Sequence, residues 1–531
     1  MTETATFNLW TEPWIGAETT AGTMETVNIE ALLLGAGRYR ALYDPSPLVV
    51  VAIHRLLTAI LQDVVRPARK RDLVALWEGG AFPQEPIQAF GRAYAPRFDL
   101  FSADAPFLQS ADIPREPEKR GQGKSVGYLL EELTAGTGVT HYNHLYEDEL
   151  ILCAACCAKG LLSIPAFASS GGAGIKPSIN GVPPIYVLPG GETLYHSLVA
   201  SLTTPRFQPK AADTERDTPW WRRDPVIGKK QEAARVGYLH SLTFPARRVR
   251  LHPEPMTRPC SRCGRTTAWG AGEMVYEMGE SRPGDAPFWQ DPFAAYRLHP
   301  EATIPTPPTP VRPVAGRAVW REFAALFLPH ELAGGKFIRP AIIDQIELVV
   351  AELPDRSADL IPFRTIGLRT DMKMKIFEWE SSGFLIMPYI LNDPVTGIKV
   401  TQGLEFAAKC ESILKGMYGR YFDGASAEFP GVAVKGPAAV RAQMTQRYWR
   451  RLGDEFRQWL LGFGPAADVD ALFEAWLGTV VGVGADAFRE AAEQLYSGNS
   501  TALACEAAIN HCRNGLISYR YKQYPKELTH D

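Results

Sequence analysis

Three features of the sequence predict an α+β chain in two parts, a large irregular mixed α/β domain followed by a C-terminal four-helix bundle. Its 531 residues exceed the roughly 250–300 at which a single hydrophobic core stops growing, so at least two globular units are expected. Over the first part, Pro and Gly punctuate short helical and strand-like stretches. No strand–helix alternation persists there, which argues against a doubly wound parallel sheet. Beyond Pro394 the chain turns into long helical patterns. The expected boundary gives a mixed domain over 1–392 and a bundle over 393–531.

Within the first part, Leu48 to Val65, Asp148 to Leu162 and Trp320 to Phe327 read as helices, and Ile185 to Leu188 and Ala246 to Leu251 as short strands. The Pro-dense stretch from Thr303 to Pro313 reads as an extended connector. In the second part, helical patterns cover 402–418, 437–462, 468–496 and 500–522. Val440, Met444, Tyr448, Leu452, Phe456 and Leu460 recur every four residues and draw one apolar stripe. The third pattern carries Leu472, Phe473, Trp476 and Val480, with Gly482 and Gly484 marking a place for a kink. Short connections favour antiparallel neighbours. The stripes read as core and carry no chemistry.

Composition narrows the function classes. A net charge of −3 with 46% hydrophobic and 22% charged residues is neither disordered nor collagenous. It excludes a uniformly basic nucleic-acid coat and leaves room for a local basic face. The opening Met1-Thr2-Glu3-Thr4 lacks a signal-peptide pattern, and the apolar runs read as too short for a bilayer span of about 20 residues. Eight cysteines are too sparse for a disulfide scaffold. A cytoplasmic, reduced protein with no membrane partner is expected.

Catalytic signatures are poor. Gly171 to Ser178 comes near a phosphate-binding loop, but Pro177 removes a donor where the helix should begin. No H-E-x-x-H pattern occurs. His141 and His144, trailed by Glu147, Asp148 and Glu149, have the residue types of a metal site. The same acids serve equally as first-turn carboxylates complementing a helix dipole. A metal-dependent hydrolase using His141 and His144 is therefore one rival reading, and a purely architectural subunit another.

Other patterns point to binding. Cys153-x-x-Cys156 and Cys260-x-x-Cys263 supply the four thiolates of a tetrahedral zinc site, and Gly264 permits the tight turn of a zinc knuckle. Alternatively, Cys153, Cys156 and Cys157 are small core residues. Between Leu202 and Arg250 eleven Lys/Arg oppose five acids, either as a solvated loop or as a surface that tracks phosphates. Ala168 to Lys176 holds no bulky side chain before Ile175. Such a loop either connects flexibly or lets backbone enter a narrow groove.

Phe7-Asn8-Leu9-Trp10-Thr11-Glu12-Pro13-Trp14-Ile15 resembles the opening of the CasA family, the large subunit of the type I-E CRISPR Cascade surveillance complex. Ala105 to Gln109, the paired cysteine motifs, the glycine loop before Pro183-Pro184, Leu202 to Arg206, Ile366 to Arg369 and the terminal helices resemble it in the same order. The resemblance implies a non-enzymatic subunit of antiviral defence. It would recognise the protospacer-adjacent motif (PAM) in double-stranded target DNA, help open the duplex for guide-RNA pairing, and recruit a helicase–nuclease. Other Cascade subunits and the 5′ handle of the CRISPR guide RNA are the implied partners. The family's PAM-reading glycine loop falls on Ser170, Gly171, Gly172, Ala173 and Gly174, with Ala173 where glycine is usual. The loop that feels for the PAM and anchors on the RNA handle falls on His141, Tyr142 and Asn143. A basic finger falls near Arg282, an arginine where the family has lysine. The strand wedge falls on Met372 and Lys373, with Met372 in place of a polar amide. Cys153, Cys156, Cys260 and Cys263 match positions that resemble a structural zinc site.

Overall fold

The computed structural model describes residues 4–116, 123–130, 150–169, 174–209, 217–302, 304, 306–353, 360–370, 376–422 and 434–525. Helices and several small sheets make up the first part of the chain, and four long helices make up its end, the α+β class expected. By compactness the chain divides into two units. One runs to Ala315 and takes in two later segments that begin at Lys336 and Ile361. The other combines Gly316–Gly335 with the chain from Phe384 onward.

The opening motif of the first unit is architectural. Asn8 receives the Trp10 amide on Oδ1 at 2.9 Å and donates from Nδ2 to the Ala95 carbonyl at 2.9 Å. The Trp14 indole donates to the Leu9 carbonyl at 2.9 Å. These bonds turn Trp10 and Trp14 into the core, where Trp10 packs on Phe90 and Phe98. Gly91 leaves room for that indole, since a Cβ there would lie 2.5 Å from Trp10 Nε1.

The helix Pro47–Val65 crosses the middle of this core. Contrary to the sequence expectation, it and the helix Val469–Glu493 are long and apolar enough to cross a membrane, but 89% of the first one's most apolar window is buried inside the fold. Its Arg55 meets Asp291 through two hydrogen bonds of 2.9 and 3.2 Å, both side chains 2% exposed. Asn180 donates to the same carboxylate and the Tyr186 ring lies 4.9 Å from the guanidinium. Removing either partner would strand a buried charge at a cost of about 3–5 kcal/mol.

The longest strands gather in two hairpins. Arg247–Pro255 pairs antiparallel with Trp269–Met278, from Arg247 opposite Met278 to Pro255 opposite Trp269. The strand expected at Ala246 to Leu251 is thus the first half of a longer one. Leu152–Cys153 adds to the far edge of Trp269–Met278, and the helix Ala154–Phe167 follows directly. This corrects the expected start at Asp148: Leu152 and Cys153 use their backbone groups in the sheet, so the helix begins after them. Ile361–Thr370 and Ile376–Ile386 form the second hairpin, continued by Tyr186–Pro189 in a three-stranded sheet.

In the second unit the bundle helices run Pro394–Phe422, Ala438–Gly462, Val469–Glu493 and Asn499–Gln523. The predicted stripe is core from Met444 on: Met444, Tyr448, Leu452, Phe456 and Leu460 are buried, while Val440 in the first turn is partly exposed. Trp459 and Trp476 stack at 4.7 Å, and Gly403 of the first helix lies under both. Tyr448 donates to the Ala407 carbonyl, and Gly484 packs against Leu516 and Tyr448. These pairings run consecutive helices antiparallel. The third helix passes unbroken through Gly482 and Gly484, so the small residue at 484 serves close packing of helices.

Two glycines therefore separate steric from propensity effects. A Cβ at Gly403 would sit 2.7 Å from both indoles, whereas at Gly482 it meets open space. Gly403→Ala is expected to destabilise the bundle by about 1–3 kcal/mol despite alanine's better helix propensity. Gly482→Ala should stabilise it by up to about 1 kcal/mol. Urea unfolding followed by bundle tryptophan fluorescence distinguishes the two signs.

Candidate metal centre and nucleic-acid interface

Four sulfurs converge in the first unit. Cys153 ends the short edge strand and is the N-cap of the helix Ala154–Phe167, which carries Cys156 in its first turn. Cys260 and Cys263 lie at the tip of the long hairpin. There the Gly264 amide returns to the Cys260 carbonyl at 2.9 Å, with Gly264 at φ +72°. The Ser261 amide donates to the Ile151 carbonyl at 2.8 Å, locking the two knuckles together. All four Sγ atoms lie within 4.8 Å of one another, and Cys153 and Cys263 are 3.7 Å apart. A tetrahedron with Zn–S bonds of about 2.3 Å has edges of about 3.8 Å. The donor set fits a structural zinc ion. Cys157 stays out of it, buried in the core, where burial pushes its thiol well up.

Protons are shared among these thiols. Donating hydrogen bonds to Cys153 and Cys260 pushes the Cys156 thiol far up, and burial adds to this. Acceptance from Cys156 lowers Cys153, but donation to Cys260 and burial outweigh that and push it up to about 12. Cys260, which accepts from both Cys153 and Cys156, is held well below the ordinary thiol value. Without a cation, mutual repulsion keeps most of the cluster protonated. A divalent ion would supply the charge that lets all four ionise, and its binding would release protons.

A carboxylate that the sequence did not single out secures this centre. Asp44, its side chain fully buried, accepts from Arg262 at 2.5 Å and from Lys159 at 2.9 Å. Burial would raise its pKa, yet the Arg262 hydrogen bond and the charge of Lys159 more than offset that and hold it below the usual carboxylate range. Arg262 lies between the two knuckle cysteines and Lys159 one turn along the helix, so one buried charge holds both halves.

At the other end of the same helix begins the glycine loop. Of its residues Gly174 is described, at φ +81°, while Ser170, Gly171, Gly172 and Ala173 lie outside the described residues. The Ser178 amide closes the neck on the Ala168 carbonyl at 2.8 Å. No helix follows before Pro183, unlike a phosphate-binding loop. The Lys230 ammonium lies 3.7 Å from where a Gly174 Cβ would be. Lys176 pairs with Glu232 at 2.8 Å.

Much of the basic stretch from 202 to 250 is used inside the protein, which corrects its reading as a continuous phosphate track. Arg222 binds Asp63, Arg223 binds Glu280, Lys229 binds Glu277, and Arg248 binds Asp112 and Glu277. Arg247 and Arg250 are buried. Arg206, Lys230 and Arg235 remain exposed; Lys210 and Arg216 lie outside the described residues. Arg282 is half-buried, folds back to donate to the Pro287 carbonyl, and lies 6.0 Å from the Trp289 ring centre. Met372 and Lys373 lie outside the described residues, in the connection between the strands of the second hairpin. His141, Tyr142, Asn143 and His144 lie outside them too. Among the described residues, the four cysteines are the grouping able to hold a metal.

The description of the family model matching residues 8–487 is CRISPR-associated protein Cse1. The chain belongs to the Cse1 (CasA) family. A CasA/Cse1 protein of Thermus thermophilus is 29% identical over 507 residues, covering 89% of this chain and 92% of that protein. The Cse1 structure from Acidimicrobium ferrooxidans superposes with a TM-score of 0.78 at 22% identity, covering 98% of this chain and 99% of that one. A chain of a structure described as a CRISPR RNA-guided surveillance complex superposes with a TM-score of 0.71 at 19% identity, covering 96% and 99%. The Cse1 fold thus extends over nearly the whole chain.

The purified Cse1-family chain is expected to hold about one zinc ion, measured by elemental analysis. Cys260→Ser/Cys263→Ser should lose it, and a chelator should lower the melting temperature of the wild type but not of that variant. Zinc retention should weaken as pH falls, because the thiols must lose protons to bind. Asp44→Asn should loosen zinc and cost about 3–5 kcal/mol, leaving Arg262 and Lys159 without their buried partner. Because the Asp44 carboxyl is depressed in the folded state, its stabilisation is present above about pH 4 and is lost as pH falls through the folded value.

Proposed function

We propose that this chain is the large, non-catalytic subunit of a CRISPR RNA-guided surveillance complex, where it reads the PAM in duplex DNA and starts strand separation. Membership of the Cse1 family across residues 8–487 carries the reading. In it, the backbone of Ser170 to Gly174 enters the minor groove, where small residues permit close approach. Lys230 stands beside that loop and Arg282 acts as the basic finger, released from Pro287 on binding. His141, Tyr142 and Asn143 contact the guide-RNA handle and feel for the PAM. Met372 and Lys373, which fall in sequence between the strands Ile361–Thr370 and Ile376–Ile386, wedge the first base pair apart. An apolar side chain suits that task, because wedges that unstack bases are commonly apolar. Sequence beyond the PAM is read by the guide RNA. The bundle docks on neighbouring subunits, and a helicase–nuclease is recruited once the duplex opens.

Binding of the assembled complex to duplexes with and without a PAM tests this. Gly172→Asp and Arg282→Ala are expected to weaken PAM-duplex binding by about tenfold or more, the scale of one lost groove contact of about 1–3 kcal/mol. Met372→Asp/Lys373→Asp should retain PAM engagement but lose opening, read by a fluorescent base analogue next to the PAM. Wild-type behaviour in all three variants overturns the assignments. Metal-dependent cleavage of DNA by the isolated chain, abolished by His141→Ala, would favour the hydrolase instead.

A further inference from the structure

We propose that Arg247 is a positioning residue for the glycine loop, holding its two feet at a set separation and so fixing how the loop meets DNA. The inference rests on the reading that this loop touches the duplex. Arg247 is 1% exposed at the base of the long hairpin. Its Nη2 donates to the Ser169 carbonyl at 2.5 Å and its Nη1 to the Lys176 carbonyl at 2.8 Å. Those carbonyls stand on either side of residues 170–174. Nη1 also reaches the Ala246 carbonyl at 2.8 Å. The Met278 sulfur accepts the Lys176 amide at 3.2 Å and lies 3.8 Å from Nη1, joining the second foot to the opposite strand.

The chemistry favours arginine. A guanidinium is a planar fork whose two nitrogens can each hold a separate carbonyl in a fixed geometry, whereas an ammonium is a single point. Among the described residues its polar partners are carbonyls and one sulfur, with the Tyr276 ring 5.9 Å away. The charge sits just past the C-terminus of the helix Ala154–Phe167, the negative end of its dipole. Burying a cation this way is a weak route to stability, since apolar replacements of buried ions are often neutral or better. Its effect is to make one loop width cheaper than all others. Two further neck contacts, the Ser178 amide to the Ala168 carbonyl at 2.8 Å and Ser178 Oγ to the Pro165 carbonyl at 2.6 Å, close the neck one step farther from the loop, so Arg247 is the clamp nearest to residues 170–174.

Arg247→Lys in the assembled complex is the test, with Met278→Leu as a milder second variant. Both are expected to speed amide exchange across 168–178. Arg247→Lys should reduce the ratio of PAM to PAM-less duplex affinity by about tenfold while leaving PAM-less binding unchanged. Retention of charge by lysine should not rescue the ratio. Wild-type exchange and ratio in Arg247→Lys overturn the proposal, and so does a lowered melting temperature with an unchanged ratio. Gly172→Asp on the wild-type background separates this failure from that of the underlying reading. If Gly172→Asp abolishes PAM discrimination and Arg247→Lys does not, Arg247 alone loses its role. If Gly172→Asp changes nothing, the loop does not read DNA, and a link between Arg247 and PAM discrimination falls with it.

Discussion

The grip of the long hairpin on the helix Ala154–Phe167 is the constraint on which the first unit's functional features depend. At its tip the hairpin presents Cys260 and Cys263 to Cys153 and Cys156. At its base Arg247 holds the residues that follow the helix. The 14-residue helix is about 21 Å long, shorter than the ten-residue strand Trp269–Met278 it packs on, at about 33 Å. Held at both ends, the helix can neither slide nor rotate without breaking buried polar contacts. The four-cysteine cluster and the residues flanking the glycine loop, Ser169 and Lys176, are therefore tied to opposite ends of one helix.

Charge placement follows the same economy. Arginines that looked available along the chain are largely occupied in cross-links: Arg55 to Asp291, Arg222 to Asp63, Arg262 to Asp44. What remains exposed near the loop is sparse, with Lys230 as the cation against Gly174. In the proposed role, a net charge of −3 would keep binding to duplexes weak outside the PAM. Weak non-specific affinity suits a sampler of DNA, because phosphate neutralisation drives most sequence-independent binding.

The residues that make the family legible are mostly not those proposed to act on DNA. Asn8, Trp10 and Trp14 build a buried turn, and Gln109 joins the Leu100 carbonyl to the Leu251 amide. The Thr203 backbone exchanges two hydrogen bonds with the Gln62 side chain, and Gln345 accepts from the Thr204 amide and donates to the Leu202 carbonyl. Such side chains satisfy buried backbone groups at one geometry, so their spacing marks a fold sharply. The residues proposed to contact DNA, by contrast, are mostly small or polar and fall between the recognisable sequence patterns, where sequence alone leaves connector and binding element equivalent.

Local periodicity made the bundle readable: a four-residue apolar repeat admits one face and hence one packing surface, and helices near 437–462 and 468–496 followed from it. Each C-x-x-C motif was equally readable, because its two sulfurs and the turn between them are set within a few residues. Joining the motifs into one cluster required the edge strand Leu152–Cys153 to pair with the hairpin. Asp44 and Arg247 carried no signal at all in the sequence, where they look like any other charged residues. Their importance arises from burial and from partners about 70 to more than 200 residues away. Periodic apolar burial is encoded by neighbours along the chain, whereas the pairing of isolated buried charges is decided only when distant segments meet.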